Sequence, residues 1–113
     1  MKTLVIKKPW GQEDQFTLNE TSTVKILSVN KGEELSLQYH NHRSEFWYII
    51  SGYPVVTIGD KKVVAKPEDE FIIKELEPHQ LEAPSDDVQV LEIAFGKFDE
   101  DDIVRIKDKY VRA

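Results

Sequence analysis

Residues 45–65 read Glu45-Phe46-Trp47-Tyr48-Ile49-Ile50-Ser51-Gly52-Tyr53-Pro54-Val55-Val56-Thr57-Ile58-Gly59-Asp60-Lys61-Lys62-Val63-Val64-Ala65, and this run decides the fold. Aromatic and β-branched residues fill Phe46 to Ile50 and stop at Ser51-Gly52, the pattern of a strand ended by a turn. A second strand near 54–58 meets Gly59-Asp60, a tight-hairpin dipeptide, and Lys62 to Ala65 supplies its partner. The same grammar extends both ways. Upstream, Val24 and Ile26, with Ser28, share one face of a strand near 23–29. Asn30-Lys31-Gly32 makes a turn, and Leu35 and Leu37 then face away from Ser36 and Gln38. Downstream come a turn at Pro67-Glu68-Asp69, a strand over Phe71-Ile72-Ile73, a charged loop to Pro78-His79 and a long strand from Val88 to Phe95. The acidic turn from Asp99, followed by Ile103, Val104 and Ile106, predicts one short C-terminal helix with Asp99 as N-cap. Strands recurring every ~8–12 residues predict an all-β sandwich or a small barrel, and a closed barrel leaves no exposed sheet edge.

Composition narrows the chemistry. The 113 residues predict a single domain over 1–113, long enough to build a core without covalent staples. There is no cysteine, so disulfide frameworks, thiolate metal sites and cysteine nucleophiles are excluded. Fifteen basic and 21 acidic residues give a net charge of −6, which disfavours nucleic acid and anionic membranes as partners. No apolar run approaches the ~18 residues of a membrane span, and Met1 to Lys8 is too short in apolar residues for a signal peptide, so a cytoplasmic protein is expected.

The histidines number three, and two of them lie in Gln38-Tyr39-His40-Asn41-His42-Arg43-Ser44-Glu45. On an extended chain Gln38, His40 and His42 share a side, and Glu45 follows three residues later on the next strand. Several unpartnered polar groups inside a core would cost several kcal/mol, on the order of 2–7 each. A divalent ion that takes imidazole nitrogen and carboxylate oxygen removes that cost, and such donors suit Zn, Mn, Fe, Co or Ni better than Ca or Mg. His79, opening a new segment after Pro78, is placed to close the site.

These residues resemble a known family. Gly32, five residues, Gln38-x-His40, four residues, Glu45, six residues and Gly52 is similar to the first motif of the cupins, jelly-roll β-barrels. The run Leu35 to Trp47 resembles the type II mannose-6-phosphate isomerase domain, usually found fused behind a mannose-1-phosphate guanylyltransferase. Lys8-Pro9-Trp10-Gly11 and the segment Asp99 to Arg105 with Asp108 and Tyr110 look like that domain's two ends. The second cupin motif, Pro-x-Gly-x-x-His, here reads Lys74-Glu75-Leu76-Glu77-Pro78-His79, and the usual later asparagine is Ala83.

The resemblance implies one divalent metal held by Gln38, His40, Glu45 and His79. It implies interconversion of mannose 6-phosphate and fructose 6-phosphate, with a proton moved between C2 and C1. His42 is then a candidate base, and Arg43, with Lys74 as an alternative, the cation for the sugar phosphate. Two other readings stand beside it: a non-catalytic metal-containing cupin that binds a sugar or sugar nucleotide, and a metal-dependent oxygenase. The chain has no Gly-rich phosphate loop, so guanylyl transfer is not expected of it. The partner expected is a small sugar phosphate, and analogy with other cupins suggests a homodimer.

Overall fold

A computed structural model describes residues 3–110. In chain order the strands are β1 (Leu4–Lys8), β2 (Gly11–Gln15), β3 (Ser22–Val29), β4 (Leu37–Tyr39), β5 (Ser44–Ser51), β6 (Val55–Ile58), β7 (Lys61–Val64), β8 (Glu70–Ile73), β9 (His79–Glu82), β10 (Val88–Phe95) and β11 (Val104–Lys107). Two antiparallel sheets, ordered β3-β10-β5-β8 and β11-β4-β9-β6-β7, form the jelly roll, and β1 and β2 form a hairpin of their own. Inward residues of both sheets meet in one apolar cluster that includes Trp47, Ile49, Val56, Ile73, Leu81 and Val90. Burying each such side chain stabilises the fold by about 1.5–3 kcal/mol.

Two turns set the register. Gly59-Asp60 joins β6 to β7 with Ile58 opposite Lys61, and Gly59 takes φ 61°, the left-handed backbone such a turn demands. Gly52, which ends β5, has φ 85°, and a Cβ there would lie 2.4 Å from the Asp87 carbonyl oxygen. Only glycine satisfies both conditions.

The structure corrects the C-terminal reading: among the described residues there is no helix, and Val104–Lys107 is a strand paired with β4. Asp99 does cap a turn, its carboxylate accepting the Asp101 N–H at 3.0 Å, but the turn goes no further: Asp102 accepts the Asn41 and His42 N–H groups at 2.8 and 2.9 Å and ties the chain to the segment before β5. Val104 and Ile106 then alternate as a strand requires. On β3, Val24 and Ile26 share the outward face and are 57% and 59% exposed, with Leu27 and Val29 turned inward. The β1–β2 hairpin, turned by Pro9-Trp10, is an element the sequence pattern alone does not disclose. Strands β4 and β5 are consecutive but belong to opposite sheets, so the short segment between them crosses the barrel wall.

Candidate metal centre

That crossing builds the site. His40 follows the last residue of β4, and its carbonyl oxygen accepts the Leu76 N–H at 2.8 Å. Glu45 is the second residue of β5 and points inward with Trp47 and Ile49, by strand alternation. His79 opens β9, directly across from Gln38 of β4. All three side chains are buried, at 4%, 2% and 1% exposure for His40, Glu45 and His79. One ligand atom from each lies within 4.8 Å of the others. His40 Nε2 is 3.6 Å from Glu45 Oε2, and His79 Nε2 is 3.6 Å from Glu45 Oε1.

The far nitrogens decide the tautomers. His40 Nδ1 lies 2.6 Å from the Asp102 carbonyl oxygen, and His79 Nδ1 lies 2.9 Å from that of Glu77. A carbonyl only accepts, so each Nδ1 carries the proton and each Nε2 presents a lone pair to Glu45. This backbone-anchored imidazole is the usual support of a metal-ligating histidine. Burial keeps both rings neutral: it lowers the pKa of His40 and takes that of His79 down to about 4. Burial also raises the pKa of Glu45, against the opposing pull of Arg43.

Glu45 Oε1 is buried with no hydrogen-bond partner, and so is the indole Nε1 of Trp47, whose ring stands edge-on to His79 at 5.6 Å. An orphaned carboxylate oxygen costs about 1–3 kcal/mol or more, and a cation at this point would remove the cost. Two neutral imidazoles and one carboxylate therefore fit a borderline divalent ion.

Arg43, 8% exposed, inserts beside this set. Its Nε donates to Glu45 Oε2 at 3.0 Å, its Nη2 to His40 Nε2 at 3.2 Å and its Nη1 to the Asp99 carbonyl at 3.2 Å. Phe98 lies against its guanidinium, 4.5 Å from the ring centroid. Glu92 of β10 is also buried, opposite Trp47 in register. Burial and the charge of Glu45 raise its pKa to about 7. The motif reading missed Glu92, although a signal exists: it is the one acid in the inward series Val88, Val90, Glu92, Ala94.

Gln38, His42 and Lys74 are not among the three donors. Gln38 is half-buried, its amide donates to the Ser36 carbonyl at 3.3 Å, and it borders a cleft shared with Arg105 and Tyr110. His42 is exposed, because the bend at Asn41-His42 breaks strand alternation and Asp102 holds its backbone N–H. Lys74 is exposed beside a different crevice, lined also by Ile58, Phe71 and Glu77. Leu76, at the glycine position of the second cupin motif, adopts φ 65°.

The sequence and the fold match proteins of known name. Residues 2–108 match the family described as mannose-6-phosphate isomerase C-terminal. The chain is 37% identical over 105 residues to mannose-1-phosphate guanylyltransferase 2 of Escherichia coli O157:H7, covering 91% of this chain and 22% of that protein. It is 35% identical over 109 residues to the xanthan biosynthesis protein XanB of Xanthomonas campestris pv. campestris, covering 95% and 23%. The chain thus spans about a quarter of the length of these relatives. A solved double-stranded β-helix protein from Klebsiella pneumoniae superposes with a TM-score of 0.67 at 20% identity, covering 80% of this chain and 79% of that one. With this fold, and with the family match running over nearly its whole length, the chain belongs to the mannose-6-phosphate isomerase C-terminal family of cupins.

Proposed function

We propose that this chain is a metal-dependent sugar-phosphate isomerase domain of the cytoplasm that interconverts mannose 6-phosphate and fructose 6-phosphate. The observation that carries the reading is the buried His40–Glu45–His79 donor set, with Glu45 Oε1 unpartnered, in a chain of this family. His40, Glu45 and His79 hold the ion, and the nearby Gln38 amide supplies a fourth donor. A bound divalent ion (Zn, Mn, Co, Ni or Fe) supplies Lewis acidity toward the sugar's carbonyl and hydroxyl oxygens.

The protein's own residues do the rest. Arg43, buried against the donor set, brings a positive charge for the enediolate or the phosphate. Glu92 carries the proton between C2 and C1: with a pKa of about 7 it both accepts and returns a proton at neutral pH. His42 and Lys74 are exposed, outside the buried donor set. The test is a coupled isomerase assay on the purified chain with each metal in turn. Turnover that disappears in Glu45→Gln and Glu92→Gln supports the reading.

A second reading, sugar binding without turnover, draws on the burial of the centre, where His40, Arg43, Glu45 and His79 are at most 8% exposed. Saturable binding of mannose 6-phosphate with no product under any metal supports it instead.

A further inference from the structure

Arg43 occupies the donor atoms that a metal ion needs. With the Nδ1 proton of His40 committed to the Asp102 carbonyl, His40 Nε2 has one lone pair, and it accepts the Arg43 Nη2–H at 3.2 Å. Glu45 Oε2 receives Arg43 Nε at 3.0 Å. One lone pair cannot serve a hydrogen bond and a coordinate bond together. The other half of the cluster, Glu45 Oε1, accepts no hydrogen bond and faces His79 Nε2 at 3.6 Å. Building on the metal-site reading, we infer that Arg43 is a built-in competitor for the ion: its guanidinium balances Glu45 in the metal-free protein and must leave His40 Nε2 when a metal enters.

The structure gives the guanidinium a place to stay after release. The Asp99 carbonyl and the Phe98 ring, both on the segment after β10, contact it independently of His40 and Glu45. A metal ion and a freed guanidinium side by side leave the buried site with excess positive charge, which an anionic ligand then neutralises. Arg43 thereby couples metal uptake to binding of a phosphate or enediolate, and it sets the metal affinity below what the three donors alone would reach.

The experiment is zinc titration by calorimetry on wild type, Arg43→Met, Arg43→Lys and Glu45→Gln, with side-chain hydrogen exchange of Arg43 followed by NMR in the wild type. Arg43→Met keeps the bulk and removes both donors and charge. The inference expects zinc to bind Arg43→Met at least tenfold more tightly than wild type, with Arg43→Lys between them. It expects a fall in the melting temperature of metal-free Arg43→Met that zinc restores. It also expects the Arg43 guanidinium protons to exchange faster once zinc is added, and this wild-type measurement decides the matter if the variants do not fold. Zinc binding that Glu45→Gln abolishes but Arg43→Met leaves equal or weaker, with unchanged Arg43 exchange, overturns the competitor role and leaves the metal site standing. No zinc uptake by wild type or by Arg43→Met overturns both.

Discussion

Oε1 of Glu45 faces Nε2 of His79 across 3.6 Å in the middle of the barrel, and that carboxylate oxygen has no hydrogen-bond partner. The gap is too long for a hydrogen bond and too dry for the charge to go unanswered. Glu45→Gln preserves the shape and removes the charge. We expect it to weaken zinc binding by about 100-fold or more, read by calorimetry in metal-depleted buffer. Unchanged affinity would remove Glu45 from the donor set.

Glu92 makes stability depend on pH. Its carboxyl is raised from the ordinary 4.5 to about 7, first by burial and then by Glu45, against Arg43 and Lys25. Below pH 4.5 it is protonated both folded and unfolded. As pH rises from 4.5 to 7 the unfolded chain ionises first, so stability is lost, on the order of 3 kcal/mol in full. Glu92→Gln cannot ionise. Metal-free Glu92→Gln is therefore expected to be more stable than wild type at pH 8 and similar to it at pH 4.5, as urea denaturation will show. His79, lowered to about 4, acts oppositely: its contribution is lost as pH falls from 6.5 toward 4. It does so in both chains, so the difference isolates Glu92. A stabilised but slower Glu92→Gln would show that the ionisable group was kept for chemistry.

Leu76 sits at φ 65°, a left-handed conformation that costs a leucine about 1–2 kcal/mol. Its side chain is 60% exposed, so little packing opposes a change. Leu76→Gly relieves the strain while giving up some unfolded-state restriction. We expect a net gain of about 0.5–1 kcal/mol and a rise of a few degrees in melting temperature. A lower melting temperature would mean that the leucine side chain matters to the loop.

Gly52 offers the opposite case. A methyl group there meets the Asp87 carbonyl oxygen at 2.4 Å and Val88 Cγ2 at 2.9 Å, on a backbone of φ 85°. Gly52→Ala is expected to destabilise the chain by roughly 2–4 kcal/mol in denaturant unfolding. A loss below about 1 kcal/mol would show that the Asp87–Val88 backbone yields.

The legible parts of this chain are those with local causes. Alternation and turn chemistry reveal β5, β6, β8 and β10 nearly to the residue, and Gly59-Asp60 reveals the β6–β7 hairpin. The sequence places Gln38, His40, His42 and Glu45 together with His79 to close the site, and the structure brings donor atoms of His40, Glu45 and His79 within 4.8 Å. What escaped was non-local. The fate of Asp99 to Asp102 depends on amides 60 residues upstream, so a helix-start signal ended as a turn into β11. The exposure of His42 depends on a bend that strand parity does not register. Glu92 was visible only to someone asking which side of β10 faces inward.

The segment crossing from β4 to β5 has a last consequence. His40 and His79 belong to one sheet and Glu45 to the other, so the donor set exists only while both layers stay closed. Any partial opening that parts the layers dismantles it at a stroke. An ion bound there would act as a rivet between the layers: the metal-free barrel stands without it, and loading would shift the parting of the two sheets to harsher conditions.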